Sequence, residues 1–522
     1  MRGVKENKIS LEELIYCVML SLLLCLKGIG LDEGSNIFRI GLLMAMFLFA
    51  TKILIGKYSI RELMIIGFGI LWGIISFFHI GSLSILIYAL IILGMKNVSV
   101  SRAMKSGVVI WSGCFVITVT AAIFLNRTGV QLVHEKLGLG PVIRESLGYS
   151  HPNVLHVTYI VLMTFVLYCC KKENAFRTIV LLLLGDAFIF MYSLSYTGLM
   201  ISFLLIGEYI YFMYRSRISL IEKLLIMCIL PMCIIVSTII PYLVDSEGII
   251  YRICNSILNN RIWAIKVFFH YYDINLWGQK ILIDSFSLDN SYIYALAWHG
   301  VVFLIIMFIG YWLLIRDYLK WERRKELSVI ITFLVAGLTE QFLFNSSIKN
   351  ITFVFMGEVL FRLIQKDEKE IVLVRHTSCL VPVPQSWFKI IKQKWDEVCW
   401  KRVVIHYICL NFIIILALLL LKTSPYNQVY VNEKLCDCSA DLVSADQIND
   451  SENTLIIGKT TDDNRFYYFT NENSKLIWVQ NVRYKITLSI CLSLLCEILF
   501  IGGKKCLDYI RRKSMKTGGM TR

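Results

Sequence analysis

Fourteen apolar runs dominate this chain, near residues 11–28, 37–55, 62–79, 81–95, 107–125, 154–170, 177–195, 198–214, 219–243, 291–315, 328–344, 350–364, 403–421 and 484–503. Most approach the roughly 20 residues that an α-helix needs to cross a hydrocarbon core about 30 Å thick, and they lack the strict alternation of barrel strands. The expected fold class is an all-α integral membrane protein, a polytopic helical bundle of about fourteen transmembrane helices. Composition agrees: 57% of the residues are hydrophobic and 17% charged, where soluble domains carry about 25% charge.

The charges sort by side. With a cytoplasmic N-terminus, inner connections hold Lys52/Lys57/Arg61, Lys96/Arg102/Lys105, Lys171/Lys172/Arg177, Arg215/Arg217/Lys223 and Arg316/Lys320/Arg323/Arg324/Lys325, and the tail holds Arg511/Arg512/Lys513. Short outer connections around Asp32, Ser82 and Thr197 carry no Lys or Arg. This is the positive-inside pattern, and it puts both termini in the cytoplasm. Because most of the +15 net charge sits in such loops, no nucleic-acid partner is expected. The first run resembles a signal peptide but lacks a small-residue cleavage site, so it reads as a retained helix.

Most of the sixteen cysteines lie inside apolar runs as small hydrophobes, and Cys436 and Cys438 are too close for ordinary disulfide geometry. Neither a disulfide framework nor a zinc ligand set is visible. The organisation expected is a twelve-helix core over 1–365, a basic cytoplasmic linker over 366–402, and a two-helix module over 403–522 with a small extracytoplasmic domain at 422–482. Outer loops 126–153 and 244–290 are the other segments long enough to carry chemistry.

Three constellations face the outer side. Arg144 precedes Ser150-His151-Pro152-Asn153, with Pro152 at a position where a first helical residue is tolerated. His151 and Asn153 therefore stand at a helix N-terminus, where free N–H groups and the helix dipole favour a phosphate that Arg144 could grip; the alternative is a plain cap with Arg144 reaching towards head groups. The second loop carries Arg252, Arg261 and Trp263, then Asp289-Asn290-Ser291-Tyr292, a mixture suited to a sugar phosphate, although Asp289 or Asn290 also serves as an ordinary helix cap. The third has Glu340, Asn345 and Asn350; a carboxylate near the membrane surface is costly, so Glu340 calls for an Arg partner or a wet cavity, and Asp186 within the seventh run is equally expensive. Polar groups gathered in one outer layer favour chemistry on a lipid-linked substrate over transport through the midplane.

The stretch from Arg144 to Asn350 resembles the O-antigen and capsular polysaccharide repeat-unit polymerases (Wzy type), relatives of the O-antigen ligases. The matching pieces are Arg144 with Leu-Gly-Tyr-Ser-His-Pro-Asn (147–153), Asn260-Arg261-Ile262 before Trp277-Gly278, Leu-Asp-Asn-Ser-Tyr (288–292) before Gly300, and Glu340 with Asn345 and Asn350. The resemblance covers about the first 365 residues. It departs at Ser195-Tyr196-Thr197-Gly198, where many members look like Ser-Arg-Thr-Gly, and in the module after residue 400.

The resemblance implies a GT-C-like core and a glycosyltransferase, joining undecaprenyl-diphosphate-linked oligosaccharides into surface polysaccharide at the outer face of the bacterial cytoplasmic membrane. A flippase and a chain-length regulator of the same pathway are the partners it suggests. Arg144, Arg252 and Arg261 would stabilise the departing lipid diphosphate, with Asn153, Asn290, Tyr292 and Asn345 as further substrate contacts. His151 would be the base that deprotonates the acceptor hydroxyl, with Asp289 and Glu340 as rivals. No Asp-x-Asp motif stands in an outer loop, so neither metal nor cofactor is expected. The competing functions are ligase-like transfer to another acceptor and a lipid-linked glycan flippase.

Overall fold

The computed structural model describes residues 8–125, 129–136, 139–245, 247–257, 260–281, 287–364, 371–372, 380–382, 400–420, 425–436, 440–448, 451, 453–458, 465–470 and 475–517. The chain divides into two compact units: Met1–Val130 with Ser146–Pro382, and Gln131–Glu145 with Val383–Arg522. The expected linker at 366–402 falls mostly outside the described residues.

The first unit is helical apart from two short antiparallel ladders, β1 (Lys8–Ser10) with β6 (Leu380–Pro382) and β2 (Lys57–Tyr58) with β5 (Ile371–Val372). Its α-helices are α1 (Leu11–Gly28), α2 (Asn36–Ile55), α3 (Ile60–Ile80), α4 (Ser84–Leu93), α5 (Val100–Phe124), α6 (Pro152–Cys169), α7 (Ala175–Ser193), α8 (Tyr196–Tyr214), α9 (Leu220–Thr238), α10 (Ile240–Leu243), α11 (Ile249–Ile257), α12 (Arg261–Tyr271), α13 (Ser291–Tyr294), α14 (Gly300–Lys320), α15 (Arg324–Ala336) and α16 (Thr352–Ile364). A π-helical turn, Ala295–His299, joins α13 to α14.

Among the described residues, eight helical stretches are long and apolar enough to cross a membrane: Asn36–Ile55, Ile60–Ile80, Val100–Phe124, Pro152–Cys169, Lys172–Ser193, Tyr196–Tyr214, Leu220–Leu243 and Ser291–Lys320. Their outward faces are greasy. Phe47, Phe68, Phe78, Leu181 and Leu220 are all exposed, an arrangement water would oppose and lipid tails accept. The chain is a helical membrane protein.

Every apolar run of the sequence lies on a helix, but several are corrected in length. The run at 81–95 becomes α4, ten residues long with all ten buried, so it is a core helix covering only about 15 Å. The run at 328–344 stops at Ala336, where Gly337 and the polar Thr339-Glu340-Gln341 succeed the apolar residues; α15 and α16 have 13 residues each, about 20 Å. Between them Gly337–Ile351 is irregular apart from a 3-10 turn at Gln341–Leu343 and largely buried, where the sequence reads as the end of a helix and a short outer turn from Asn345 to Asn350. Irregular backbone in a membrane protein needs such burial by protein, or a cavity, to satisfy its polar groups. The outer loop at 244–290 likewise holds α11 and α12.

The second unit overturns the all-α expectation locally. Strands β3 (Gln131–Lys136) and β4 (Gly140–Glu145) form a hairpin, and β7 (Gln428–Asn432), β8 (Asp441–Ser444), β9 (Thr454–Ile457) and β10 (Arg465–Thr470) form a sheet in the order β8-β10-β7-β9. The helices α17 (Trp400–Leu420) and α18 (Lys475–Thr517) belong to the same unit. The strands are rich in β-branched and aromatic residues, and Val429, Val431 and Ile457 pack with Val133, Ile143, Phe469, Leu476 and Ile477. The hairpin is tied to α18: buried Arg483 donates to Glu145 Oε1 at 2.9 Å and to the Ile143 carbonyl at 2.7 Å. A segment assigned by sequence to the first outer loop of the core therefore folds with the C-terminal module, through contacts more than 300 residues apart along the chain.

Candidate functional site

Arg261 opens α12 from a tight turn. Asn260 adopts φ +63°, a left-handed conformation that Asn tolerates better than most residues, and Asn255 braces it by donating to Asn260 Oδ1 at 2.9 Å and accepting from the Trp263 N–H at 3.0 Å. The turn directs the Arg261 guanidinium inward, where it is 7% exposed. There Nη2 donates to Glu340 Oε1 at 3.0 Å and Nε lies 3.3 Å from Asp289 Oδ2. The second contact is close but not aligned as a hydrogen bond, and Nε has no hydrogen-bond acceptor.

Glu340 is held from two sides besides. The Thr197 hydroxyl donates to the same Oε1 at 2.9 Å, and the Glu340 carbonyl accepts from Ser291 Oγ at 2.5 Å. Glu340 thus has its Arg partner, and that partner is Arg261. Asp289 is the more open carboxylate, its side chain 30% exposed against 8% for Glu340, and it accepts from Ser287 Oγ at 2.8 Å. Segments about 80 residues apart thus converge on one guanidinium.

Lys349 adds a second buried cation. It is 5% exposed, and Nζ donates to the Val154 carbonyl at a long 3.4 Å. Burial and the neighbouring Lys27 lower its pKa to about 7, against the opposing pull of Glu340 and Asp32. The preceding Ile348 sits at φ +57°, a strained conformation for a β-branched residue, so the chain accepts strain to deliver this lysine. Lys349→Met should therefore stabilise the fold, and unevenly with pH. The folded pKa lies below the unfolded value of about 10.4, so the penalty is complete below about pH 7 and fades as pH rises through that window. Thermal unfolding at pH 6 and pH 9 checks this: a larger gain at pH 6 is expected, and equal gains would show an ordinary, solvated lysine.

The remaining sequence candidates lie elsewhere. His151 is the N-cap of α6, its Nδ1 accepting from the Asn153 N–H at 3.1 Å; the ring lone pair that a base would use is engaged in capping. His151→Asn should then keep wild-type stability, whereas His151→Ala should lose about 1 kcal/mol, read by denaturant titration of the purified protein. Equal losses in both would remove the cap. Asn153 follows Pro152 in the first turn of α6 and is half-buried.

Asn290 is consumed structurally, its Oδ1 capping Tyr292 and Ile293 and its Nδ2 donating to Ser237 Oγ at 2.8 Å and the Leu338 carbonyl at 3.0 Å. Tyr292 is fully buried, with its hydroxyl donating to the Leu334 carbonyl at 2.6 Å, so it packs helices together. Asn345 closes a turn by accepting from the Ser347 N–H at 3.1 Å. Arg252 is exposed on α11. Arg144 belongs to β4 of the second unit and is buried.

Sequence reading missed three contributors. Lys349 stood in a turn valued only for its asparagines, Thr197 in a motif noted only for its missing arginine, and His156 within an apolar run with no charged neighbour. Asp186, marked as costly, is the one residue that could have pointed to His156. No family model matches this chain, and no curated protein or solved structure shows significant similarity to it.

Proposed function

We propose that the chain is a membrane-embedded glycosyltransferase that polymerises undecaprenyl-diphosphate-linked oligosaccharide repeat units into surface polysaccharide. On this reading the fourteen runs all lie at or within the bilayer of a bacterial cytoplasmic membrane, both termini are cytoplasmic, the helical unit is GT-C-like, and the site opens to the extracytoplasmic face. The observation that carries the proposal is the burial of Arg261 between Asp289 and Glu340. Three separate pieces of the polymerase-like pattern, Asn260-Arg261-Ile262, Leu288 to Tyr292, and Glu340, meet at that one group.

The arrangement suits the reaction. The acceptor hydroxyl oxygen bonds to the anomeric carbon, the bond from that carbon to the diphosphate oxygen breaks, and the lipid diphosphate leaves with the electron pair. Arg261 Nε, unsatisfied and only loosely paired with Asp289, is the donor an incoming phosphate oxygen can take. Asp289 is then released from its ion contact and free to accept the proton of the acceptor hydroxyl. Glu340, gripped by Thr197 and Arg261, keeps the guanidinium in place. Buried Lys349, which interacts electrostatically with Glu340, supplies further positive charge for the leaving group when protonated.

The test is the lipid-linked glycan pool of a strain lacking the gene. Single repeat units accumulating on the carrier, with polymer restored by the wild-type gene, are the expected result. Long polymer unattached to its final acceptor would identify a ligase, and repeats that never reach the outer face a flippase.

A further inference from the structure

A second polar cluster lies among α6, α7 and α8, and the mechanism above does not use it. His156 of α6 is fully buried. Its Nε2 lies 2.9 Å from Asp186 Oδ1 of α7, and its Nδ1 lies 3.0 Å from Ser193 Oγ at the end of that helix. Ser202 of α8 donates to the same Asp186 oxygen at 2.8 Å, while Asp186 Oδ2 is buried without a hydrogen-bond partner. An ionisable pair of this kind is expensive in a membrane bundle and is uncommon without a function.

The pair reaches the Arg261 site through one turn. Leu194 takes φ +43°, strained for a residue with a side chain, and reverses the chain between α7 and α8. Ser193 Oγ accepts from the Ser195 N–H at 3.4 Å, Ser195 Oγ caps the Gly198 N–H at 3.3 Å, and Thr197 of the same turn holds Glu340. Gly198 lies flat against the imidazole: a Cβ there would stand 2.5 Å from His156 Cγ. The ring is therefore the floor on which the N-terminus of α8 rests.

One link decides between two roles. Ser193 reaches Ser195 through the backbone N–H, a link that does not itself pass a proton along. It can fix a position. We infer that His156 and Asp186 are positioning residues that set the Ser195–Gly198 turn, and through Thr197 the placement of Glu340 and Arg261. The catalytic part of this inference rests on the glycosyl-transfer reading; the placement of the turn does not.

The experiment uses the full-length protein in liposomes with lipid-linked repeat units. His156→Leu should lower kcat by about tenfold to a hundredfold, the scale of a misplacement near 1 Å, with KM little changed. His156→Gln can donate to Asp186 and accept from Ser193, so it should recover much of the rate. Thr197→Val added to His156→Leu should cost little more than either change alone, since residues acting as one unit are not additive. Should His156→Leu fail to fold, Asp186→Asn and the Gln variant carry the same comparison.

An unchanged kcat in His156→Leu, or losses that multiply in the double variant, would overturn the inference. A wild type that makes no polymer would overturn the reading of the function instead. Hydrogen exchange at the 195–199 amides then decides the network: faster exchange in His156→Leu supports it, and no change overturns it.

Discussion

Arg261→Ala is expected to abolish glycan polymerisation while Arg261→Lys retains a small fraction of it. Removing the guanidinium leaves Glu340 and Asp289 facing each other in a largely buried site, and breaking a buried pair from one side costs about 3–5 kcal/mol. The reaction loses a donor aimed at developing charge as well, a loss of about a hundredfold to a thousandfold in comparable sites. Lysine restores charge but not the fork that reaches two carboxylates at once. Gel analysis of polymer length, with membrane levels of the protein measured in parallel, checks the prediction. Full-length polymer from Arg261→Ala would remove this residue from the site.

Gly300→Ala and Gly278→Ala are expected to prevent the protein from accumulating in the membrane at all. The segment after α12 crosses the π-helical turn backbone to backbone, with Val301 N–H on the Asn275 carbonyl at 3.1 Å, Val302 N–H on that of Leu276 at 3.1 Å and Gln279 N–H on that of Ala297 at 3.2 Å. A Cβ on Gly300 would stand 2.3 Å from Gly278 N, and one on Gly278 would stand 2.1 Å from the Trp298 carbonyl oxygen. Neither obstacle is a flexible side chain, and both residues have positive φ, +83° and +84°. Strain and collision together place each change beyond about 4 kcal/mol, in the exceptional range for single substitutions. Protein level by immunoblot and thermal midpoint in detergent are the readouts, and a variant with normal values in both would show that this crossing yields. The crossing leads directly into the stretch that carries Asp289.

Helix positions were readable because a membrane makes burial simple: an apolar run must be helical, so α2, α3, α5 and α7 follow from composition and length. Helix ends were less readable. Where protein and not lipid surrounds the chain, as along Gly337–Ile351, polar residues are tolerated and the apolar signal no longer marks a boundary. The β content of 425–470 was hidden by short strands, and the hairpin at 131–145 gave no local sign that its partner Arg483 lies on α18.

The site was legible in part for a similar reason. Arg261, Asp289 and Glu340 stand out as charges beside apolar helices, and each needed a partner, so their convergence answers a cost visible in the sequence. Tyr292 and Asn290 meet the carbonyls of Leu334 and Leu338, partners that the sequence does not show, because an aromatic or amide at a helix start looks the same whatever it meets. Lys349 and His156 were under-read. A lone basic residue in a turn and a lone imidazole in an apolar run acquire meaning only when the fold supplies neighbours, Glu340 and Asp32 for the first and Asp186 for the second.

The most direct measurement of the central claim is a reconstitution: the purified full-length chain in liposomes, given a single lipid-linked repeat unit as both donor and acceptor. Polymerisation predicts a ladder of glycans in whole multiples of the repeat on the carrier, with one free undecaprenyl diphosphate released per bond formed, and no ladder from Arg261→Ala. Repeat units that stay single in liposomes holding folded protein, whether untouched or merely moved across the bilayer, would contradict it.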